Sequence, residues 1–196
     1  MDAKYIKFSV ATSSSSLLNG LVSYWKLDET SGTVTDEKGA NNGTVTGATQ
    51  NQTTSKIGKS VLFDASTEKI DCGNTTSLSL TSAGTISAWI YATGDYSGYP
   101  VIVSKENWAT DRNGYTLAIR NDGYLALELA DGTNPVNALS SSTVTTNAWH
   151  HVVGVWEVSS NTLKVYLDNT AGSNTSLTMT PVTNTYNFKI GNDGAA

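Results

Sequence analysis

The chain has 196 residues and a formal net charge of −5; 38% of its residues are hydrophobic and 15% are charged. This composition suits one globular domain, and with no Lys/Arg-rich run it argues against nucleic acid as a partner. No apolar stretch is long enough to cross a bilayer and the first residues lack a secretory signal, so we expect no membrane insertion.

The residue types favour strands joined by polar turns. Serine, threonine, asparagine and 17 glycines dominate, while charged helix formers are scarce. Cys72 is the single cysteine, which excludes an intramolecular disulfide, and we expect it to be a small buried hydrophobic residue. The sequence therefore predicts an all-β protein.

The first 19 residues are predicted to form an arm and a linker. "KYIKFSV" alternates apolar and polar residues as a strand does, and "ATSSSSLLNG" is a serine-rich joint. The main domain is predicted to span 20–196.

From Leu21 onward, short apolar or alternating runs are separated by glycine, asparagine and aspartate. Asp122-Gly123 predicts a type I′ hairpin turn, and Asp168-Asn169, which tolerate positive φ, end another strand. Many short strands with frequent turns predict a two-sheet sandwich. The predicted strands are 21–27, 43–48, 58–64, 69–72, 84–92, 100–106, 114–120, 124–129, 149–158, 162–168 and 185–191.

The only two histidines, His150 and His151, are adjacent in "NAWHHVVGVWEV". Neighbouring side chains of a strand point to opposite faces, so the two imidazoles cannot bind one metal ion or act together on one substrate. Both faces of this strand carry bulky residues. We expect a central strand in which each histidine is hydrogen-bonded to a neighbour.

The ordered segments "GLVSYWKLDETSGTVTDEKGANNGTVTGA", "IGKSVLFDASTEKIDCGN", "GTISAWIYA", "GYTLAIRNDGYLAL", "NAWHHVVGVWE", "LKVYLDN" and "FKIGNDG" form a recognisable series. Together they resemble the laminin-G-like branch of the concanavalin A-like lectin/glucanase superfamily. The resemblance implies two antiparallel sheets in a jelly roll. It also implies a further strand after the "IG" segment, which the domain lacks here, next to the first strand around Trp25. Because an unpaired apolar edge invites association, we expect the arm or a partner chain to cover that edge, unless the chain is part of a longer protein.

Catalysis is not favoured by the acidic residues. Retaining glycosidases of this superfamily carry E-x-D-x-x-E on one strand, whereas none of the six glutamates here has an aspartate two residues later. Glu128 and Asp131 have a spacing that places them on opposite faces. We therefore predict that the protein is not an enzyme.

Sugar binding is the preferred interpretation, because three predicted loops combine aromatic rings with amides and charged groups. Trp108 is the most informative of them, since it lies among polar residues; the alternative is that it folds back as a lid on the core. The remaining tryptophans lie in strands and are expected in the core or on a sheet face. The predicted carbohydrate-binding residues are Tyr96, Tyr99, Trp108, Asp111, Arg112, Asn113, Asp131 and Asn134.

The resemblance suggests a structural calcium ion near the first strand. "LDETSGTVTDEKG" offers Asp28, Asp36 and the carbonyl groups around Gly32, the oxygen ligands that Ca²⁺ requires. The alternative is that Asp28 and Asp36 stabilise turns.

Taken together, the sequence predicts a non-catalytic glycan-binding or adhesion module in a phage virion or on a bacterial surface. Its expected partners are a glycan or cell-surface polysaccharide and, through the arm, other subunits of the assembly. Two alternatives stay open: a purely structural decoration protein of a virion, and an accessory domain of a secreted glycoside hydrolase.

Overall fold

The computed structural model describes residues 3–7, 20–96, 98–107 and 111–191, of which 3–7 are described by their backbone only. Within these ranges there is no α-helix, and no helix long and apolar enough to cross a membrane. The strands are β1 Ala3–Lys7, β2 Thr44–Thr46, β3 Thr49–Gln52, β4 Ser60–Leu62, β5 Lys69–Asp71, β6 Ala83–Ala92, β7 Val101–Lys105, β8 Asn113–Ile119, β9 Tyr124–Asp131, β10 Pro135–Thr143, β11 Trp149–Glu157, β12 Thr162–Leu167, β13 Thr170–Ala171 and β14 Lys189–Gly191.

The strands form two seven-stranded antiparallel sheets, which confirms the predicted all-β jelly-roll sandwich. Sheet 1 has the order β13-β12-β11-β6-β1-β4-β3, and sheet 2 has the order β10-β9-β8-β7-β14-β5-β2. The long central strands follow the period-2 rule: along β11 the residues alternate between half-buried and buried.

The core lies between the sheets and contains a chain of aromatic contacts. Trp156 is 1% exposed and its ring centroid is 5.2 Å from that of Tyr115. Tyr115 in turn contacts Phe188, which stacks on Trp25 at 5.3 Å. Cys72 is buried in the same core, as predicted, and burial raises the pKa of its thiol. Trp25 and Trp156 are thus core residues, whereas Trp89 and Trp149 are half-buried on the outer face of sheet 1.

The arm strand β1 lies inside sheet 1. It pairs antiparallel with β6 on one side, where Ile6 is opposite Ile90, and with β4 on the other, where Ile6 is opposite Val61. The sequence left open whether the arm pairs with its own domain or with a partner chain; in the structure β1 pairs within its own domain, with β6 and β4 and not with the segment around Trp25.

The predicted strand at 21–27 is wrong. Trp25 forms an isolated bridge with Asp36 and no ladder is assigned to 21–27, while Leu27 has a φ of 60°, which interrupts extended backbone. Trp25 is 4% exposed and its indole Nε1 donates to Asn41 O at 2.7 Å. The segment is a folded turn region packed on the core.

Five further differences concern strands, strand limits and turns. The sequence interpretation omitted β3, β10 and β13, and only Lys189–Gly191 of the predicted strand 185–191 is formed. β10 begins at Pro135, which is tolerated because β10 is an edge strand. Of Asp122 and Gly123 only Gly123 has positive φ, so the β8–β9 hairpin is not type I′; Asp168 and Asn169 both have positive φ, as a type I′ turn requires.

Candidate functional site

The outer face of sheet 2 carries a row of polar residues. The strand register places Asn137 of β10 opposite Glu128 of β9, Glu128 opposite Thr116 of β8, and Thr116 opposite Ser104 of β7. Glu128, Thr116 and Ser104 are at most 2% exposed. Because they point away from sheet 1, other parts of the chain must cover this face.

An open cleft of about 660 Å³ lies at one end of this row, where Glu128 and Asn137 line it. Its volume is in the range of about 300–1,000 Å³ that is typical of small-molecule sites. The side chains that line it supply one aromatic ring, two guanidinium groups, two amides and one carboxylate. These residues are Tyr99, Arg112, Arg120, Asn121, Glu128 and Asn137.

Two lining residues have strained backbone. Tyr99 has a φ of 59° and Arg112 a φ of 42°, in the left-handed region that L-residues other than Asn and Asp seldom adopt. Such conformations cost about 1–3 kcal/mol each and cluster at ligand sites. Among the described residues, one more residue that is not glycine, Asn or Asp has a positive φ. It is Leu27, which does not line the cleft.

The charges in the cleft are paired. Arg112 Nη2 lies 2.7 Å from Glu128 Oε1, and the Glu128 side chain is only 3% exposed. Arg120 Nη2 lies 3.0 Å from Asp122 Oδ2 at the surface. Burial raises the pKa of the Tyr99 hydroxyl to about 12, with a further contribution from the Glu128 charge, so this hydroxyl is neutral at pH 7 and can donate a hydrogen bond.

Asn137, which also lines the cleft, has an unsatisfied side-chain oxygen. Its Oδ1 is buried and has no hydrogen-bond partner among the residues that the structure describes. A buried amide oxygen without a partner is costly, and a ligand hydroxyl is one group that removes this cost.

The structure brings two of the predicted carbohydrate-binding residues, Tyr99 and Arg112, into the cleft. Asp131 and Asn134 lie in the adjoining β9–β10 turn, where Asp131 Oδ1 accepts from Thr133 N and Asn134 N at 2.9 and 3.0 Å. These two hydrogen bonds lower the pKa of Asp131, despite a small opposing desolvation. Asp131 therefore organises its turn.

The remaining predicted binding residues occupy other places. Asp111 Oδ2 accepts from Asn113 Nδ2 at 3.0 Å, and Asp111 Oδ1 accepts from the Tyr186 hydroxyl at 2.9 Å. The Tyr96 hydroxyl donates to Val144 O at 2.7 Å, and Tyr96 is not among the residues that line the cleft. Trp108 lies outside the described residues, so its predicted role stays a prediction.

Sequence reasoning missed Arg120, Asn121 and Asn137, and it considered Glu128 only as a catalytic acid. A signal was present in β9, "YLALELAD", where leucines alternate with Ala126, Glu128 and Ala130. The leucines face the core, and the alanines are at most 1% exposed. Small residues on the face away from a core indicate that another segment packs over it.

The turn region around the predicted calcium site is held by Asp36. Its Oδ1 accepts from Tyr24 N at 2.9 Å and Lys38 N at 3.0 Å, and its Oδ2 accepts from Ala40 N at 3.3 Å and Asn41 N at 3.0 Å. These four donors occupy the four lone-pair sites of the carboxylate, which leaves none for a metal ion. Burial acts to raise the pKa of Asp36, but the hydrogen bonds from the amides of Tyr24, Asn41 and Lys38 and from the Ser23 side chain lower it below its ordinary value.

Asp28 Oδ1 likewise accepts from Lys59 N at 2.7 Å. The geometry at Asp36 does not fit a calcium ligand and favours the turn-stabilising alternative. Within the described part of the chain no cluster of three His, Cys, Asp or Glu side chains could hold a metal ion. Calcium binding through Asp28, Gly32 and Asp36 stays a prediction.

The two histidines lie on opposite faces of β11, as predicted. His150 is buried, and its Nδ1 lies 2.6 Å from Asp168 Oδ2 while its Nε2 lies 2.9 Å from Thr145 Oγ1. His151 is half-buried on the outer face, with its Nε2 2.9 Å from Ser87 Oγ. Each histidine has a structural hydrogen-bond partner, and β11 belongs to sheet 1, away from the cleft.

Comparison with known proteins agrees with this architecture. Residues 64–196 match the family model Laminin_G_3, described as concanavalin A-like lectin/glucanases superfamily. The chain belongs to this family. The resemblance inferred from the ordered sequence segments is therefore confirmed, and the Laminin_G_3 domain includes every residue that lines the cleft.

Solved structures with this fold include two sugar complexes. Domain 4 of AbnA, a GH43 extracellular arabinanase from Geobacillus stearothermophilus in complex with arabinotriose, has a TM-score of 0.59 and 16% identity over 81% of this chain and 77% of that chain. The Ruminococcus gnavus IT-sialidase CBM40 bound to α2,3-sialyllactose has a TM-score of 0.52 and 14% identity over 63% and 72%. At these identities the likeness shows the fold. No curated protein matches the sequence significantly.

Proposed function

We propose that this Laminin_G_3 domain is a non-catalytic glycan-binding module and that the cleft on the outer face of sheet 2 is its binding site. The observation that carries the proposal is the lining itself. Tyr99 offers a ring edge or face, the arginines and Asn121 offer donors, and Glu128 and Asn137 offer acceptors. A sugar presents the complementary mixture of C–H faces and hydroxyl groups.

Non-catalytic binding is supported by the acids of the cleft. Glycoside hydrolysis requires two carboxyl groups that flank the scissile bond. Among the described residues that line the cleft Glu128 is the only acid, and its Oε1 is held by Arg112. Glu106, the residue that follows β7 in the chain, is buried and accepts a hydrogen bond from the Thr116 hydroxyl at 2.6 Å. Two structures of similar fold hold an arabinotriose and a sialyllactose, which adds support for a sugar ligand.

The biological setting is part of the same proposal: the module attaches a phage virion or a bacterial surface assembly to a glycan. Mass spectrometry of purified particles and of the cell-surface fraction tests this setting. Incorporation into particles together with no sugar binding would favour the structural decoration role.

The binding site is tested by a glycan array followed by isothermal titration calorimetry. Arg120→Ala and Asn137→Ala should each weaken binding about tenfold, the loss expected when a hydrogen bond of about 1.4 kcal/mol is removed. Lys56→Ala is the matched charge control, because Lys56 lies over the Trp89 ring on sheet 1, with Nζ 4.7 Å from the ring centroid. Equal loss in the control variant, or no loss in either cleft variant, would place the site elsewhere.

A further inference from the structure

Each of the two arginines that line the cleft is paired with a carboxylate. Arg112 Nη2 lies 2.7 Å from Glu128 Oε1, and Arg120 Nη2 lies 3.0 Å from Asp122 Oδ2. Each positive charge of the lining therefore has a carboxylate beside it.

The Arg112–Glu128 pair cannot be opened at low cost. Glu128 is 2% exposed, and Arg112 Nη2 is 2.7 Å from its carboxylate. If a ligand carboxylate took over the guanidinium, Glu128 would remain buried next to a second negative charge. Removing the partner of a buried charge is strongly unfavourable.

The uncharged part of the lining suits hydroxyl groups. Asn137 Oδ1 accepts but cannot donate, and it has no partner within the described residues. Only a hydrogen-bond donor can satisfy it, and a sugar hydroxyl is a donor whereas an ionised carboxylate is not.

On the basis of the proposed function, we infer that the cleft takes neutral glycans and discriminates against sugar acids. The buried Glu128 rejects the ligand carboxylate and also keeps Arg112 from serving as an anion site. Discrimination by an element that is unfavourable to the wrong ligand is a general source of specificity. The affinity for the preferred sugar should also be nearly independent of ionic strength, because no net charge is neutralised on binding.

The test is an array that carries neutral oligosaccharides and their uronate- or sialate-containing counterparts, including lactose with 3′-sialyllactose. Neutral sugars should bind at least about tenfold more tightly than their acidic counterparts in calorimetry at 50 and 500 mM salt. Tighter binding of the acidic member overturns the ligand class while leaving the glycan-binding function intact. Absence of binding to every sugar overturns the proposed function itself.

Variants of the Arg112–Glu128 ion pair test whether this pair causes the preference for neutral sugars. Glu128→Gln leaves Arg112 with an unpaired charge and should reduce the preference for the neutral sugar about tenfold. Glu37→Gln is the matched control, since Glu37 Oε1 is 2.8 Å from Lys26 Nζ in an exposed pair. If Glu128→Gln fails to fold, the double variant Arg112→Gln/Glu128→Gln replaces it and should also reduce the preference for the neutral sugar, because the carboxylate that rejects the ligand carboxylate is gone. An unchanged ratio in the variant that folds contradicts the inference.

Discussion

Replacement of Asp36 by asparagine separates the turn-stabilising role of this residue from a calcium-binding role. Asparagine has the same shape, but one carboxylate oxygen becomes an NH₂ group. Each Asp36 oxygen accepts two backbone N–H groups, so in either orientation of the amide two donors lose their acceptor and meet another donor.

The magnitude follows from the two lost bonds. A hydrogen bond to a charged group contributes about 1.5–3 kcal/mol, and Asp36 is 3% exposed, so water cannot replace the acceptor fully. One of the four bonds is long, at 3.3 Å from Ala40 N, which favours the lower part of this range. We expect a loss of about 3–5 kcal/mol, or roughly 10 °C in Tm for a domain of this size.

The pH dependence gives a second readout. The folded-state pKa of Asp36 lies below its ordinary value of 3.8. The stability that it contributes is therefore complete above the unfolded-state pKa and is lost as the pH falls through the lower folded-state value. Asp36→Asn should lack this contribution, so its stability should approach that of the natural protein below pH 4.

Urea and thermal denaturation at pH 7 and along an acid series, with and without EDTA, provide the assay. Glu37→Gln, next to Asp36 in sequence but exposed, is the control. Two results would refute the reasoning: an Asp36→Asn protein as stable as the natural one, or an EDTA-treated natural protein whose Tm falls to that of the variant. The second result would show that a bound metal ion, and not the amide contacts, holds the turn region.

Three further predictions follow from the packing. Gly84→Ala should lower the free energy of unfolding by about 1–3 kcal/mol or more, because a Cβ there would lie 2.2 Å from Trp156 Cζ2. An unchanged midpoint of chemical denaturation would show that Trp156 can move. His150→Gln should lower stability by about 1–3 kcal/mol and His151→Gln by less, with sugar binding intact in both; a protein that melts normally but no longer binds would contradict this. Deleting residues 2–16 removes β1 and separates β6 from β4, so the Tm should fall; a truncated protein that melts normally would show that β1 does not stabilise this sheet.

The local patterns of the chain were enough to predict most strands. β6, β8, β9, β11 and β12 coincide closely with predicted runs because each alternates over a face that packs on the core. The prediction failed where backbone conformation opposed the pattern. Residues 21–27 are apolar enough for a strand, but Leu27 with positive φ and the four amides gathered by Asp36 turn the segment into a folded loop.

The sequence did not predict β10, because most residues of this strand are polar. "PVNALSSST" has few apolar residues, yet Val136 and Ala138 lie opposite Leu129 and Leu127 of β9. An edge strand needs only one paired neighbour, so a weak pattern is sufficient when the adjacent strand is strong. The pairing of β10 with β9 depends on the tertiary structure and cannot be predicted from the residues of β10 alone.

The sequence by itself determined the all-β class, the family, the opposite orientation of the two histidines and the presence of Tyr99 and Arg112 among the binding candidates. These follow from period-2 alternation and from residue types, which are local properties. Only the tertiary structure decided which polar residues share a cleft. Arg112, Glu128 and Asn137 come from three strands or their ends and meet because the register of β8, β9 and β10 aligns them. The same holds for β1, whose place between β6 and β4 depends on hydrogen-bonding edges supplied by residues more than fifty positions away along the chain.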